Sequence, residues 1–334
     1  MTDPRSEIHD FLGGLLRCRE PDLEGYAATR LAEDAVFHIS APVERLQGRR
    51  AILSGFIRPL RAALTHLNRR DGLFFGGRNT RANGGDWIAS LTHYVGRFSA
   101  PLFGILPGDR LVFLRAGEFY RIEEGRIVEA RIILDLLDLM RQTGRFPLPF
   151  SYGTEITFPG PATHDGVIPP DRETGARSLA IVETMLGALH DYDPTTFGSQ
   201  SQIGSDGLWD DDLMWYGPGG IGSTTGWDGF VDHHRASFLG AFPDRKGGNH
   251  YCRIGDGSYA AVSGWPSMTM THLGPYLGVA PTGRAMTLRV MDFYRCTDRK
   301  IAENWVLLDY IDLLNQMGRD PISDSNRLGG LPGE

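Results

Sequence analysis

The feature that most constrains this chain is that it repeats itself. The stretch from Pro107, PGDRLVFLRAGEFYRIEEGRIVEARIILDLLDLMRQTGRFP, aligns without a gap with the stretch from Pro281, PTGRAMTLRVMDFYRCTDRKIAENWVLLDYIDLLNQMGRDP. The offset is 174 residues and 17 of 41 positions are identical, among them Arg115/Arg289, Glu129/Glu303, Asp135/Asp309 and Gly144/Gly318. A period this long excludes a solenoid and indicates two copies of one domain. Upstream, each copy opens with an amphipathic segment (Ser6 to Glu20; Ser178 to Asp191). A short aromatic strand (AVFHIS; LMWYGP), a glycine (Gly48; Gly226) and a second helical segment follow in each. Between the copies, the stretch from Phe146 to Gly175 carries six prolines and reads as a linker. The expected division is therefore 1–146, a linker 147–174, 175–323 and a tail 324–334.

Each copy reads as α+β, with helices first and then strands rich in Val, Ile, Phe, Tyr and Trp. Residues 111–122 and 126–134 are parted by Glu124 and Gly125, a hairpin signal, and the second copy is expected to turn at Asp298 and Arg299. Asp135 and Asp309 stand where the N-cap of a short last helix belongs, with Gly144 and Gly318 at its C′ position.

Composition removes several function classes. Net charge is −7 without basic stretches, which argues against nucleic acid or an anionic membrane as partner. No apolar run reaches the ~20 residues a bilayer requires. The N-terminus lacks the pattern of a signal peptide, so a cytoplasmic protein is expected. Cys18, Cys252 and Cys296 fit neither a disulfide framework nor a zinc spacing. Gly217 to Gly222, GPGGIG, fits G-x-G-x-x-G by letter, but no βαβ pattern surrounds it. His233, His234, His250, Cys252 and His272 match no zinc spacing either; their convergence in space is the condition for a metal-dependent hydrolase or lyase.

The second copy resembles the SnoaL-like polyketide cyclases, within the nuclear transport factor 2-like cones. The likeness is carried by AFPD (Ala241 to Asp244), Thr271, His272 and Gly274, and Gly278 with Pro281 to Arg284. The strand Met291 to Arg295 and the ending KIAENWVLLDYIDLLNQMG add to it. It covers most of 178–321. The first copy shares the last hairpin and helix but has Phe98 where His272 stands. The resemblance implies two tandem cones, helices on a curved antiparallel sheet, packed as a pseudo-dimer. A further homodimer of such pseudo-dimers is one open arrangement. It also implies an apolar pocket, a small-molecule substrate, no cofactor, and acid/base chemistry. Relatives include aldol cyclases, isomerases, dehydratases, epoxide hydrolases and proteins without known activity, so fold does not choose the reaction.

Strand alternation puts Val290, Asp292 and Tyr294 on one face. The cyclases carry histidine at the position of Asp292, and Glu118 matches it in the first copy. Asp292 is expected as general base, since a buried carboxylate is costly unless used. The competing reading pairs it with Arg289 or Arg284. His272 matches the family's histidine and is expected as a proton shuttle or hydrogen-bond donor; Asn304 is expected either to orient a carbonyl or to make a plain structural hydrogen bond. The family's catalytic aspartate corresponds to Val306, so the aldol-cyclase mechanism does not transfer directly. Trp215, Tyr216, Trp265 and Tyr294, with Val306, are expected as pocket walls for a flat, apolar carbonyl or hydroxy compound. Glu118, His38 and His93 mark a candidate second pocket. The expected enzyme is an aldol-type cyclase or lyase, an isomerase or a dehydratase. A ligand-binding module without chemistry is the alternative.

Overall fold

The computed structural model describes residues 4–155, 166–189, 191–199, 202–247, 249–297 and 299–329. In α1 (Pro4–Arg17), Ile8, Phe11, Leu12, Leu15 and Leu16 are buried at helical spacing, so one apolar stripe faces a sheet. In the second half, α6 (Arg172–Ala188) does the same. Asp171 caps it by accepting a hydrogen bond from the Thr174 N–H at 3.0 Å. Its buried face is Gly175, Ser178, Leu179, Val182 and Met185. A β-carbon on Gly175 would lie 2.4 Å from Asp256 Cα, so only glycine lets the helix sit this low on the sheet.

The strands of the first half are β1 (Leu31–Ile39), β2 (Glu44–Gln47), β3 (Leu64–Arg78), β4 (Asp86–Phe98), β5 (Leu111–Glu123), β6 (Arg126–Leu134) and β7 (Gly166–Val167). They form one sheet in the order β2-β1-β6-β5-β4-β3-β7. The second half has β8 (Trp209–Tyr216), β9 (Ser223–Thr225), β10 (Lys246–Gly247), β11 (His250–Asp256), β12 (Tyr259–Thr271), β13 (Ala285–Cys296) and β14 (Ile301–Leu308). Their order is β10-β12-β13-β14-β8-β9, with β11 also paired to β12. In each sheet the first long strand joins the last one in parallel, β1 to β6 and β8 to β14, while the hairpins are antiparallel. The first hairpin turns at Glu124 and Gly125, both with positive φ. Of the expected second turn, Asp298 lies outside the described residues.

A helical run covers each sheet after its first strands. Residues 49–63 and 226–241 both pass through a π-helical turn, Leu53–Ile57 and Val231–Arg235. The final helices are α5 (Leu136–Gln142) and α9 (Tyr310–Gln316). Asp135 and Asp309 cap them, accepting from the N–H of Asp138 at 3.0 Å and of Asp312 at 3.2 Å. Gly144 and Gly318 follow at φ 78° and 89°, the left-handed conformation that ends a helix. Helix α10 (Pro321–Arg327) continues past residue 323. No helix among the described residues is long and apolar enough to cross a membrane.

The central strands of both sheets are buried on both faces. One face of each meets its own helices, forming the cone. The other faces pack together: Leu73, Phe75, Trp87, Leu91 and Phe119 against Ile254, Tyr259, Met291, Phe293 and Trp305. Phe119 and Phe293 stand 5.7 Å apart at the centre of this pseudo-dimer. The two caps serve it reciprocally. Asp135 accepts from the Gly219 N–H at 2.9 Å and Asp309 from the Ala41 N–H at 3.1 Å, each reaching into the opposite half. Arg115 and Arg289 hold the same two carboxylates at 3.2 and 3.0 Å. Gly217 to Gly222 forms the loop between β8 and β9, with antiparallel pairing on either side, so no dinucleotide-binding unit surrounds it.

Candidate active site

The two cones differ in what fills them. In the first, Arg69 reaches across the sheet to Glu118 at 2.5 Å and Asp71 at 2.7 Å, and the Tyr94 hydroxyl also donates to Glu118. With Phe11, Leu15, Phe37 and Phe56 around this cluster, only about 20 Å³ is left. Strand register explains the contrast. Arg69 pairs with Tyr94 between β3 and β4, and the corresponding pair in the second half is Gly247 with Met268. Where the first half has an arginine plug, the second has a glycine.

The second cone holds a cavity of about 380 Å³. Its wall is the sheet face carrying Trp209 and Trp215 (β8) and alternate residues from Leu288 to Tyr294 (β13) and from Asn304 to Leu308 (β14). Its cover is α6 and the 226–241 helix, which contribute Met185, Leu189, Phe230, His234 and Phe238. Asp292 lies in this wall, opposite Val306, with Tyr294 opposite Asn304 in the next pair on the same face. Asn304 is held in place by donating to the Phe293 carbonyl at 3.1 Å. Both Asn304 and Tyr294 hydrogen-bond to the Asp292 carboxylate, and neither neutralises it. Burial pushes its pKa up to about 7; the two hydrogen bonds pull the other way and are outweighed. Protein surrounds Asp292 on all sides, yet the side chain retains accessible surface. That surface borders the cavity. The expected pairing with Arg289 or Arg284 is not formed. Arg289 bonds Glu44 and Asp309, and Arg284 bonds the Gln316 carbonyl.

Trp215, Tyr294, Val306 and Asn304 line the cavity with Asp292. Four expected residues stand on the opposite sheet faces. Tyr216 stacks on Trp305 at 5.2 Å in the layer between the sheets. Trp265 lies over the first half, 6.3 Å from His38, with the guanidiniums of Arg131 and Arg289 at 5.4 and 4.9 Å from its ring. His38 and His93 occupy the matching faces of the first sheet, and burial lowers both to about 4, so they are neutral there. The candidate second pocket is thus replaced by a filled cone with Glu118 inside it and two histidines outside it. His272, expected as a shuttle, is also outside the cavity. Its Nδ1 is 3.1 Å from Thr282 Oγ1 and its ring lies 5.6 Å from Phe242.

His234 is the group that sequence reasoning weighed only as a metal ligand. It stacks on Trp215 at 4.5 Å and 18°, and burial beside Arg235 and Arg245 lowers it to about 3. A neutral imidazole with one N–H therefore faces the same cavity as Asp292. The signal lay in the repeat, because His234 sits at the place of buried Phe56 in the first half's π-helical turn. His250 also lines the cavity, where Arg253 donates to its Nδ1 at 3.1 Å. His233 is exposed and Cys252 belongs to the layer between the sheets. Among the described residues, no three His, Cys, Asp or Glu side chains converge in a way that could hold a metal ion.

A family model described as SnoaL-like polyketide cyclase matches residues 22–143 and 201–317. No curated protein matches the chain. Among solved structures, IdmH from Streptomyces antibioticus, a proposed polyketide cyclase, is 21% identical, with 43% of this chain and 99% of that chain covered and a TM-score of 0.35. AclR from Streptomyces galilaeus, a proposed hydroxylase, is 21% identical over 43% of this chain and 82% of that chain, with a TM-score of 0.33. A Catenulispora acidiphila protein with a ketosteroid isomerase-like fold, solved with trimethylamine, is 17% identical over 41% and 92%, with a TM-score of 0.32. The family model matches twice, once in each cone and across more than half of the residues. The chain belongs to the SnoaL-like polyketide cyclase family, as a tandem two-copy member.

Proposed function

We propose that the second half is a cofactor-independent general-base enzyme acting on a small, largely apolar carbonyl compound of polyketide-like shape. One observation carries this reading: Asp292, an unneutralised carboxylate, borders a cavity of about 380 Å³ whose sheet wall is largely apolar, beside Asn304 and Tyr294. Burial makes it a stronger base than a solvated carboxylate, while its pKa near 7 leaves it ionised often enough to work at neutral pH. It takes a proton from the carbon next to a carbonyl. The neutral acid it becomes then returns that proton elsewhere. Ring closure, double-bond migration and loss of water all begin with this step. Asn304 and Tyr294 hold the carboxylate toward the substrate. The His234 imidazole supplies a hydrogen bond to the developing enolate oxygen. Trp215, Val306 and Leu308 shape the walls. Val306 stands where the resemblance leads one to expect a catalytic acid, so the path here runs through Asp292.

The test is mass spectrometry of a metabolite pool incubated with wild type or with Asp292→Asn. A compound converted only by wild type supports the reading. The mass change then names the class: minus water for elimination, unchanged for isomerisation or cyclisation, two fragments for cleavage. If both proteins retain one compound unaltered, the second half is a binding module and Asp292 is not a base.

A further inference from the structure

Two arginines in the cavity wall have no carboxylate. Of the five arginines with buried side chains among the described residues, Arg5, Arg69, Arg115 and Arg131 each have a carboxylate oxygen within hydrogen-bonding or ion-pair reach. The fifth, Arg235, has carbonyls and the ring faces of Tyr192 and Trp227. Its Nε donates to Phe197 O at 2.7 Å and its Nη2 to Leu189 O at 3.2 Å, leaving Nη1 without a protein partner among the described residues. Arg245 lines the same cavity and makes no ion pair among the described residues. Both guanidiniums lie over the Tyr192 ring, at 5.4 and 5.3 Å, close enough for each to oppose the charge of the other. The third cavity arginine, Arg253, is neutralised by Glu183 at 3.2 Å. A buried, unneutralised cation is expensive, and a second cation within electrostatic reach makes it more so. In the first half the place of Arg235 is taken by Ile57, which is buried and apolar, so the fold itself does not require a charge there.

We infer that this arginine pair is an anion-binding pole, and that the substrate carries a carboxylate or phosphate at one end and its acidic carbon at the other. This deepens the general-base reading and rests on the same cavity being a substrate site. Planar guanidinium forks match the two oxygens of such groups. Asp292 lies at a separate pole, held by Asn304 and Tyr294, and neither arginine of the pair is near enough to draw its carboxyl down. An apolar body bridging the two poles is oriented by its charge before the proton is taken.

The test titrates wild type with 1-naphthaleneacetate, its neutral amide and 1-naphthyl phosphate, by calorimetry at low salt. At least one anion is expected to bind about tenfold tighter than the amide. Which anion does so separates a carboxylate substrate from a phosphate. Arg245→Gln, at a half-buried rim position, should bring that ratio close to one without moving the melting temperature, and Arg245→Lys should keep part of it. Equal affinities, no binding of any probe at millimolar concentration, or a ratio unmoved by Arg245→Gln overturns the proposal. Asp292→Asn should retain the preference. Anion preference without turnover leaves this pole standing and removes the general base; turnover without preference does the reverse.

Discussion

Replacing Asp292 by asparagine should make this protein more stable at high pH, and the size of the gain follows from the site. In the folded chain burial raises the Asp292 carboxyl from 3.8 to about 7. A group with a raised pKa holds its proton more tightly folded than unfolded. Its stabilising contribution is therefore complete below about pH 4 and is lost as pH rises through about 7. At 1.36 kcal/mol for each pH unit between the two values, the loss is about 4 kcal/mol. The variant's amide cannot ionise and escapes this loss. Asn304 must then turn or give up a hydrogen bond, a cost of about 1 kcal/mol that is the same at every pH. Other raised carboxyls, Asp135 and Asp309 among them, are present in both proteins and cancel in the comparison. The difference in unfolding free energy between Asp292→Asn and wild type should therefore swing by about 4 kcal/mol in favour of the variant between pH 4 and pH 9. With an unfolding entropy near 0.7 kcal/mol/K for a chain this long, that is about 6 °C in relative melting temperature. Differential scanning calorimetry of both proteins at several pH values reads it directly. A flat difference refutes the buried-base reasoning. A swing of opposite sign identifies Asp292 as an ion-pair partner, whose pKa is depressed.

Four further outcomes follow from the same geometry. The rate for the true substrate should rise with pH and level off above about 7, because only ionised Asp292 accepts a proton; a rate that falls over that range would assign the limb to another group. His234→Phe installs the residue type of the first half's Phe56, so the melting temperature should hold within a few degrees while turnover drops about 100-fold, as steady-state kinetics would show. Arg69→Met leaves Glu118 with no cation inside the filled cone and Asp71 with His9 and Ser90 alone, and should cost about 3–5 kcal/mol in urea unfolding, without changing the affinity of any ligand of the second cone. Gly175→Ala forces α6 off Asp256, where the new β-carbon would lie 2.4 Å from Cα; a loss of about 1–3 kcal/mol by the same assay is expected.

Much of the architecture was legible in the residues because the signals are local. The hairpin turn at Glu124 and Gly125, the Asp135 and Asp309 caps and the closing glycines each depend on a few neighbouring residues. The grouping of Asp292, Tyr294, Asn304 and Val306 was legible too, since one anchor on each strand sets the rest by alternation. The same rule failed for Tyr216, Trp265, His38 and His93 for a definite reason. A sheet with one wet face shows apolar and polar residues in turn, but the central strands of these sheets are buried on both faces, by helices on one and by the other sheet on the other. An aromatic residue then fits either side, and pattern alone does not say which. The register shift in β12 between Gly264 and Met268 falls beside Trp265 and removes the remaining guide.

By itself, then, the sequence determined that the chain is one α+β fold made twice, with Asp292 on the wall of the second copy. The doubling and the fold class follow from a repeat at fixed offset and from periodicities of two and about four residues; that the face of Asp292 is the pocket side was implied by the family resemblance. Only the tertiary structure decided which cone is hollow, and that His234, Arg235 and Arg245 share the hollow with Asp292. A cavity is a shortfall of side-chain volume summed over segments far apart in the chain. Arg69 closes one cone and Gly247 leaves the other open, and no local pattern carries that sum.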